Sequence, residues 1–225
     1  TTMHPQGGGQ PTDIGFIVPI LSSEDDRQNN TQQMKVSKVT LDRSTGIVTH
    51  LGTLISTDPS ANDTFTPELW HVGQPVHVMV DSEERRILSE CHTAGHVVDA
   101  AMARCHFILP PSKGYHFLDG PYVEYKGNIP TNNRDRLLGQ LQQAFQNLVD
   151  EDIPTRIETL TQDAAQDVCS RVQENFQVSD YVDNDSVRIV TVAGWPCPCG
   201  GTHVQSTQLL KERRWGIVGI KCKKG

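Results

Sequence analysis

The chain has 225 residues, 36% of them hydrophobic, and a formal charge of −7, which is enough apolar material for one large domain or two small ones and excludes wholesale disorder. It contains no apolar run of about 18 residues, and its opening "TTMHPQGGGQ" lacks the basic and apolar regions of a signal peptide, so the expectation is a soluble, cytoplasmic protein with no membrane partner. The acid excess argues against a general nucleic-acid binder, because Lys and Arg supply most of the affinity for phosphate.

The first eighty residues read as β-rich. "DIGFIVPIL", "MKVSKVTLD", "GIVTHLGTLI" and "PVHVMVD" are strand-like runs, and "LDRSTGIV" between two of them predicts a hairpin with Gly46 at a left-handed position. The polar stretches 22–33 and 57–68 read as surface loops. A glycine-rich segment is already under way at Gly7, so we expect residues to be missing before Thr1. Gly7, Gly8 and Gly9 permit close backbone approach, and Asp13-Ile14-Gly15 reads as a turn back into a strand.

After Asp81 the apolar spacing changes to the helical period. Ser82 as N-cap, with Glu83 and Glu84 in the first turn, predicts a helix to about Arg104. Further helices are expected at about 133–150 and 162–174, with strands at "GYHFLDG", "YVEYKG", "TRIETL", "SVRIVTVAG" and "WGIVGIKC". These elements predict an α+β fold: a small barrel or curled sheet over 1–81, then a sheet with helices packed on one face over 82–225.

On the first helix, Ile87, Cys91, Ala94, Val98, Ala101, Met102 and Cys105 form an apolar stripe, and His92, His96 and Asp99 lie about opposite. A histidine pair at i, i+4 can either sit solvated on an outer face or aim two imidazoles at one ion. "WPCPCGGTHV" offers partners, with Cys199 and His203 four apart, and thiolate with imidazole favours zinc over magnesium or calcium. Cys197 competes with Cys199. The Gly-Gly after Cys199, which lets the chain turn His203 to the same ion, favours His92, His96, Cys199 and His203 as the set. Four protein donors close a tetrahedral site, whereas catalytic zinc keeps a position for water, so the donor list leaves the role open.

The other cysteines (Cys91, Cys105, Cys169, Cys222) are irregularly spaced, which reads as a reducing setting rather than a disulfide framework. The sequons at Asn29, Asn62 and Asn184 read as chance. The tail from Lys211 holds six basic residues (Lys211, Arg213, Arg214, Lys221, Lys223, Lys224) against Glu212 alone, either a basic patch or an ordinary solvated end.

"HTAGH" followed about a hundred residues later by "CGGTH" resembles the zinc signature of alanyl-tRNA synthetase editing domains and of the AlaX proteins, and "HPQGGGQPTDIG" resembles their glycine-rich segment. The three motifs span residues 4–204 in the family's order. The resemblance implies a β-barrel-like N-terminal domain followed by an α/β domain similar to the editing domain of threonyl-tRNA synthetase. It implies hydrolysis of Ser-tRNA(Ala), and of Gly-tRNA(Ala), at one zinc ion per chain held by His92, His96, Cys199 and His203. It also implies that Gln10 acts in catalysis, that Gly8, Gly9, Gln10 and Thr202 bind substrate, and that the acceptor stem of tRNA(Ala) is the partner. The chain departs from the family after Thr207, where "QLLKERRWG" replaces a stretch like T-x-E-I-G. That departure motivates an alternative, a tRNA- or partner-binding module with a structural zinc and no turnover. No aminoacylation domain is present in the chain, so charging tRNA is not expected of it.

Overall fold

The computed structural model describes residues 1–21, 32–56, 70–173, 176–180 and 185–222. They form two compact units, one of residues 1–7 and 11–86, the other of residues 8–10 and 87–225.

In the first unit, β1 (Gly15–Pro19), β2 (Gln32–Leu41), β3 (Val48–Ser56) and β4 (Val76–Val80) make one antiparallel sheet in the order β3-β2-β1-β4. The outer strands β3 and β4 do not pair with each other, so of the expected small barrel or curled sheet the barrel is not formed among the described residues, and the sheet is open. Met3, Ile17, Val36 and Val39 are its buried centre, and a bulge between Val36 and Lys38 bends β2 against β3. Gly46 does take a left-handed φ of 72° in the β2–β3 turn, where Asp42 accepts bonds from the amide and hydroxyl of Ser44 at 2.9 and 2.7 Å. Asp13 is the polar lock of this unit. It is 1% exposed, and its carboxylate accepts from Arg85 Nε at 2.7 Å, from a second nitrogen of the same guanidinium, and from the His4 amide. The predicted loops 22–33 and 57–68 lie outside the described residues, except that Gln32 and Gln33 already belong to β2.

Helix α1 runs Ser82–Arg104. Its cap is Asp81, not Ser82, because Asp81 Oδ1 accepts from the amides of Glu83 and Glu84 at 3.1 and 3.0 Å. In the second unit, β5 (Pro111–Tyr115) and β6 (Tyr122–Tyr125) form a ribbon, and β7 (Arg156–Thr161), β8 (Ser186–Val192) and β9 (Trp195–Pro198) form an antiparallel sheet. Helix α2 (Arg134–Asp150) buries Leu137, Leu141, Phe145 and Leu148 as its spacing predicts. Helix α3 (Gln162–Ser170) is shorter than the predicted 162–174, and Glu174 lies outside the described residues.

Strand β8 carries side chains to two cores. Val190 and Val192 join α1 and α2, while Val187 and Ile189 join Ala165 and Cys169 of α3. The sheet is therefore covered on both faces, rather than on one. This follows from a run, "VRIVTV", that is apolar at both parities and so has no face suited to water. The turn between β8 and β9 is two residues long, Ala193 and Gly194, with φ of 52° and 81°, the mirror-image turn that suits the twist of a hairpin. The predicted strand "WGIVGIKC" is not one. Trp215, Ile217 and Ile220 pack on the α1/α2 core as an irregular segment, with Gln142 Nε2 donating to the Ile217 carbonyl at 2.9 Å.

Candidate metal centre

Residues 87–97 of α1 are intermediate to buried all round the helix, and from Leu88 to Val97 every one is buried. The stripe opposite the apolar one is therefore an interior surface, not a solvated one. His92 and His96 are 2% and 7% exposed, and Ser89 and Thr93 share their side of the helix.

The facing residues come from the β8–β9 hairpin. Its short turn returns the chain beside β8, and beyond β9 the Cys199 amide donates to the Arg188 carbonyl at 3.1 Å while the Arg188 guanidinium donates to the Cys199 carbonyl. Cys199 Sγ then lies 3.4 Å from His92 Nε2 and 3.3 Å from His203 Nε2. His92, His96, Cys199 and His203 each offer a donor atom, all within 4.8 Å of one another, a group that could hold a metal ion. A tetrahedral ion of zinc's dimensions, with metal–sulfur about 2.3 Å and metal–nitrogen about 2.0 Å, sets sulfur and nitrogen donors about 3.5 Å apart, so the donor spacing fits. Cys197 is not in the group. It sits in β9 opposite Val190, with its thiol directed to the Pro198 carbonyl at 3.5 Å.

The remaining ring nitrogens of two histidines have partners that orient them. Gln10 Oε1 is 2.7 Å from His92 Nδ1 and accepts its proton, leaving the Nε2 lone pair directed to the donor group. Thr93 Oγ1 does the same for His203 Nδ1 at 3.2 Å and also accepts from the Val204 amide at 3.1 Å. His96 Nδ1 is buried without a hydrogen bond, 3.8 Å from Asp99, whose other oxygen accepts from the Tyr125 hydroxyl at 2.5 Å. Burial depresses His96 to about 3, with neighbouring His116 adding to it, so this imidazole is neutral as a ligand must be. Burial also pushes the Cys199 thiol up, against the opposing pull of the Gly201 amide and Arg188. A cation in the group would reverse that push, which is how a buried thiol becomes a ligand.

Gln10 is fully buried. Besides His92, its Oε1 accepts from the Thr202 amide at 2.9 Å, its Nε2 donates to Thr202 Oγ1 at 2.8 Å, and that hydroxyl meets Ser89 Oγ at 2.7 Å. Gly8 and Gly9, at φ of 59° and 78°, bring Gln10 to this position. Of the eight site residues that the sequence singled out, His92, His96, Cys199 and His203 form the donor group, and Gln10 and Thr202 are hydrogen-bonded to each other beside it.

His116 is a residue of this centre that sequence reasoning missed. It is 5% exposed, and its ring stacks on that of His92 with centroids 4.1 Å apart and planes 20° apart. Its one sequence signal is a glycine two positions earlier in a predicted strand, "GYH", which is too weak to single it out.

The basic tail is partly consumed internally. Lys211 pairs with Asp150 at 3.0 Å, and Arg213 lies 3.3 Å from buried Glu90, which also accepts from Trp215 Nε1 at 2.9 Å. Lys223 and Lys224, like the sequon asparagines Asn29, Asn62 and Asn184, lie outside the described residues.

No protein-family model matches the chain. It is 24% identical over 222 residues to the alanyl-tRNA editing protein AlaX-L of Pyrococcus horikoshii, an alignment covering 98% of this chain and 45% of that one. Over nearly its whole length the chain is thus similar to AlaX editing proteins. A putative alanyl-tRNA editing protein alaX of Saccharomyces cerevisiae is 22% identical over 93% of this chain and 44% of its own. An alanine–tRNA ligase of Nocardioides is 26% identical over 93% of this chain and 20% of its own. The chain thus spans under half the length of these AlaX relatives and about a fifth of the ligase.

Proposed function

We propose that the chain is a zinc-dependent aminoacyl-tRNA deacylase that hydrolyses Ser-tRNA(Ala) and Gly-tRNA(Ala) in the cytoplasm. The observation that carries the reading is a group of three imidazoles and one thiol, His92 and His96 buried and Cys199 and His203 half-buried, with donor atoms within 4.8 Å of one another, in a chain that aligns over 98% of its length with an alanyl-tRNA editing protein. His92, His96, Cys199 and His203 would hold one zinc ion. When bound, the ion supplies polarisation of a water or of a substrate polar group.

The chain's own residues do the rest. Gln10 acts through His92, holding its Nδ1 proton and hence its tautomer, since a side chain with no exposure and with bonds to His92 and Thr202 is not free to turn to a substrate. Thr93 acts in the same way on His203. The half-buried Thr202 hydroxyl is the polar group beside the donors that would meet a seryl hydroxyl, and Gly8, with open space where a side chain would stand, offers backbone to a substrate, while Gly9 is packed against Gly114 and His116. Serine differs from alanine by a hydroxyl and glycine by a methyl, differences that an apolar first site rejects poorly, whereas a polar second site gains a hydrogen bond with serine. Arg214 and Lys221, which make no ion pair among the described residues, are the tail charges left for the acceptor stem.

A second reading is a tRNA-binding module with a structural metal, because four protein donors fill a tetrahedral shell. Zinc-loaded protein given Ser-, Gly- and Ala-tRNA(Ala), with and without chelator, separates the two. Metal-dependent release of serine and glycine is expected. Retained tRNA binding with no release from either mischarged tRNA sinks the hydrolase and leaves the module.

A further inference from the structure

His92 is held from two sides. Gln10 grips its Nδ1 edge, and His116 lies flat against its face. His116 has its own seat, made of three glycines from three segments. A Cβ on Gly95 of α1 would stand 2.4 Å from His116 Cε1, one on Gly114 of β5 would stand 2.5 Å from Nε2, and one on Gly9 would stand 3.3 Å from Cδ2. Gly95 and Gly114 leave no room for a methyl group beside the ring, and at Gly9 a methyl would first meet the Gly114 carbonyl oxygen, 2.3 Å away. The His116 amide also donates to the Gly9 carbonyl at 2.8 Å, so the turn that delivers Gln10 and the residue that stacks on His92 are tied together. The ring itself is outside the donor group and takes no hydrogen bond among the described residues, so flat contact with His92 is the interaction its seat secures.

We propose that His116 is a positioning residue for the metal: by stacking, it sets the plane of the His92 imidazole, while Gln10 sets its tautomer. The proposal rests on the reading of His92 as a ligand. Ring pairs of this kind favour parallel, offset contact, and groups that orient a metal ligand from behind typically contribute about 10-fold to 100-fold in metal affinity.

The test uses the full chain in four forms, wild type, His116→Ala, His116→Leu and His116→Phe. Zn2+ affinity is measured by competition with a chromogenic chelator, and the visible bands of the Co2+-loaded protein report ligand geometry. Thermal melting of the metal-free forms reports packing. Leu fills the seat without a flat face, and Phe restores the face without ring nitrogens. We expect Ala and Leu to bind zinc about 10-fold to 100-fold more weakly and to alter the Co2+ bands even where Leu melts like wild type, and Phe to recover most of both. Unchanged affinity and bands in Ala and Leu would overturn the proposal while leaving the metal site standing. A Phe variant as impaired as Leu would overturn it as well, since the ring nitrogens would then be what matters. Failure of the wild type to bind either ion would sink both the positioning role and the metal reading.

Discussion

Gly201 is where one added methyl should do the most harm. A Cβ built there would lie 2.1 Å from His92 Cε1, 2.2 Å from His92 Nδ1 and 2.7 Å from Gln10 Oε1. Carbon atoms rest about 3.5 Å apart, so in Gly201→Ala the imidazole or the 201 backbone must yield by more than about 1 Å. Metal–donor distances tolerate about 0.2 Å. Either His92 or the loop carrying Cys199 and His203 must leave its place, and at least one of the four donors is in effect lost. If a four-ligand zinc site is worth at least about 10 kcal/mol, a quarter of that is about 2.5 kcal/mol, or roughly two orders of magnitude in affinity. The neighbouring Gly200→Ala is the control, because a Cβ there meets nothing within 4 Å. Chelator competition on both variants, with melting of the metal-free forms, is the assay. We expect Gly201→Ala to bind zinc about 100-fold more weakly and Gly200→Ala to match wild type. Equal affinity in the two variants would refute the reasoning, because the close approach of Gly201 to His92 would then have no bearing on the metal.

Three further outcomes follow from other parts of the structure. Thr207 is fully buried, donating to the Leu148 carbonyl at 2.6 Å and accepting from the Ile153 amide at 2.9 Å. Thr207→Val keeps the shape, strands both groups, and should cost about 3 kcal/mol in urea unfolding; a loss within experimental error would show that the two groups find other partners. Asp13→Ala, which strips the buried carboxylate from Arg85, should cost about 3 kcal/mol by the same measurement while leaving zinc affinity unchanged, since none of its bonds involves a donor residue. Zinc uptake should release a proton and strengthen as pH rises through neutrality, because burial holds the Cys199 thiol above its ordinary value and the ligand form is the thiolate. Calorimetry in buffers of different ionisation enthalpy counts that proton, and uptake without release would mean that Cys199 does not ligate.

The donor residues were legible in the sequence because their signal is local. An i, i+4 spacing aims two imidazoles one way on any helix, and two glycines after Cys199 let the chain double back to His203. Helices α1 and α2 were legible for a related reason: their apolar periods are set within one or two turns, although the cap of α1 is Asp81 and not Ser82. What sequence could not supply was the environment of the second stripe on α1. Ser89, His92, Thr93 and His96 are polar, and a polar stripe opposite an apolar one has the pattern of a solvent-facing surface. Here it is interior, because Gln10, Thr202 and His203 arrive from 82 to 113 positions away and hydrogen-bond to His92, Ser89 and Thr93.

The same division runs through the rest of the chain. "WGIVGIKC" alternates like a strand, but alternation specifies only which side chains are buried. A strand also needs an edge to bond to, and this segment lies instead on the core, with Trp215 bonded to Glu90. His116 was invisible, since nothing in "GYHF" announces that three glycines and a second histidine will close around it. Sequence by itself determined the candidate donor types, the helix that carries two of them and the glycine turn that returns the other two, all matters of short-range geometry. Tertiary structure alone decided which residues stand behind the candidate donors, and that a polar helix face is buried, because hydrogen-bond satisfaction and close packing are made between segments far apart in the chain.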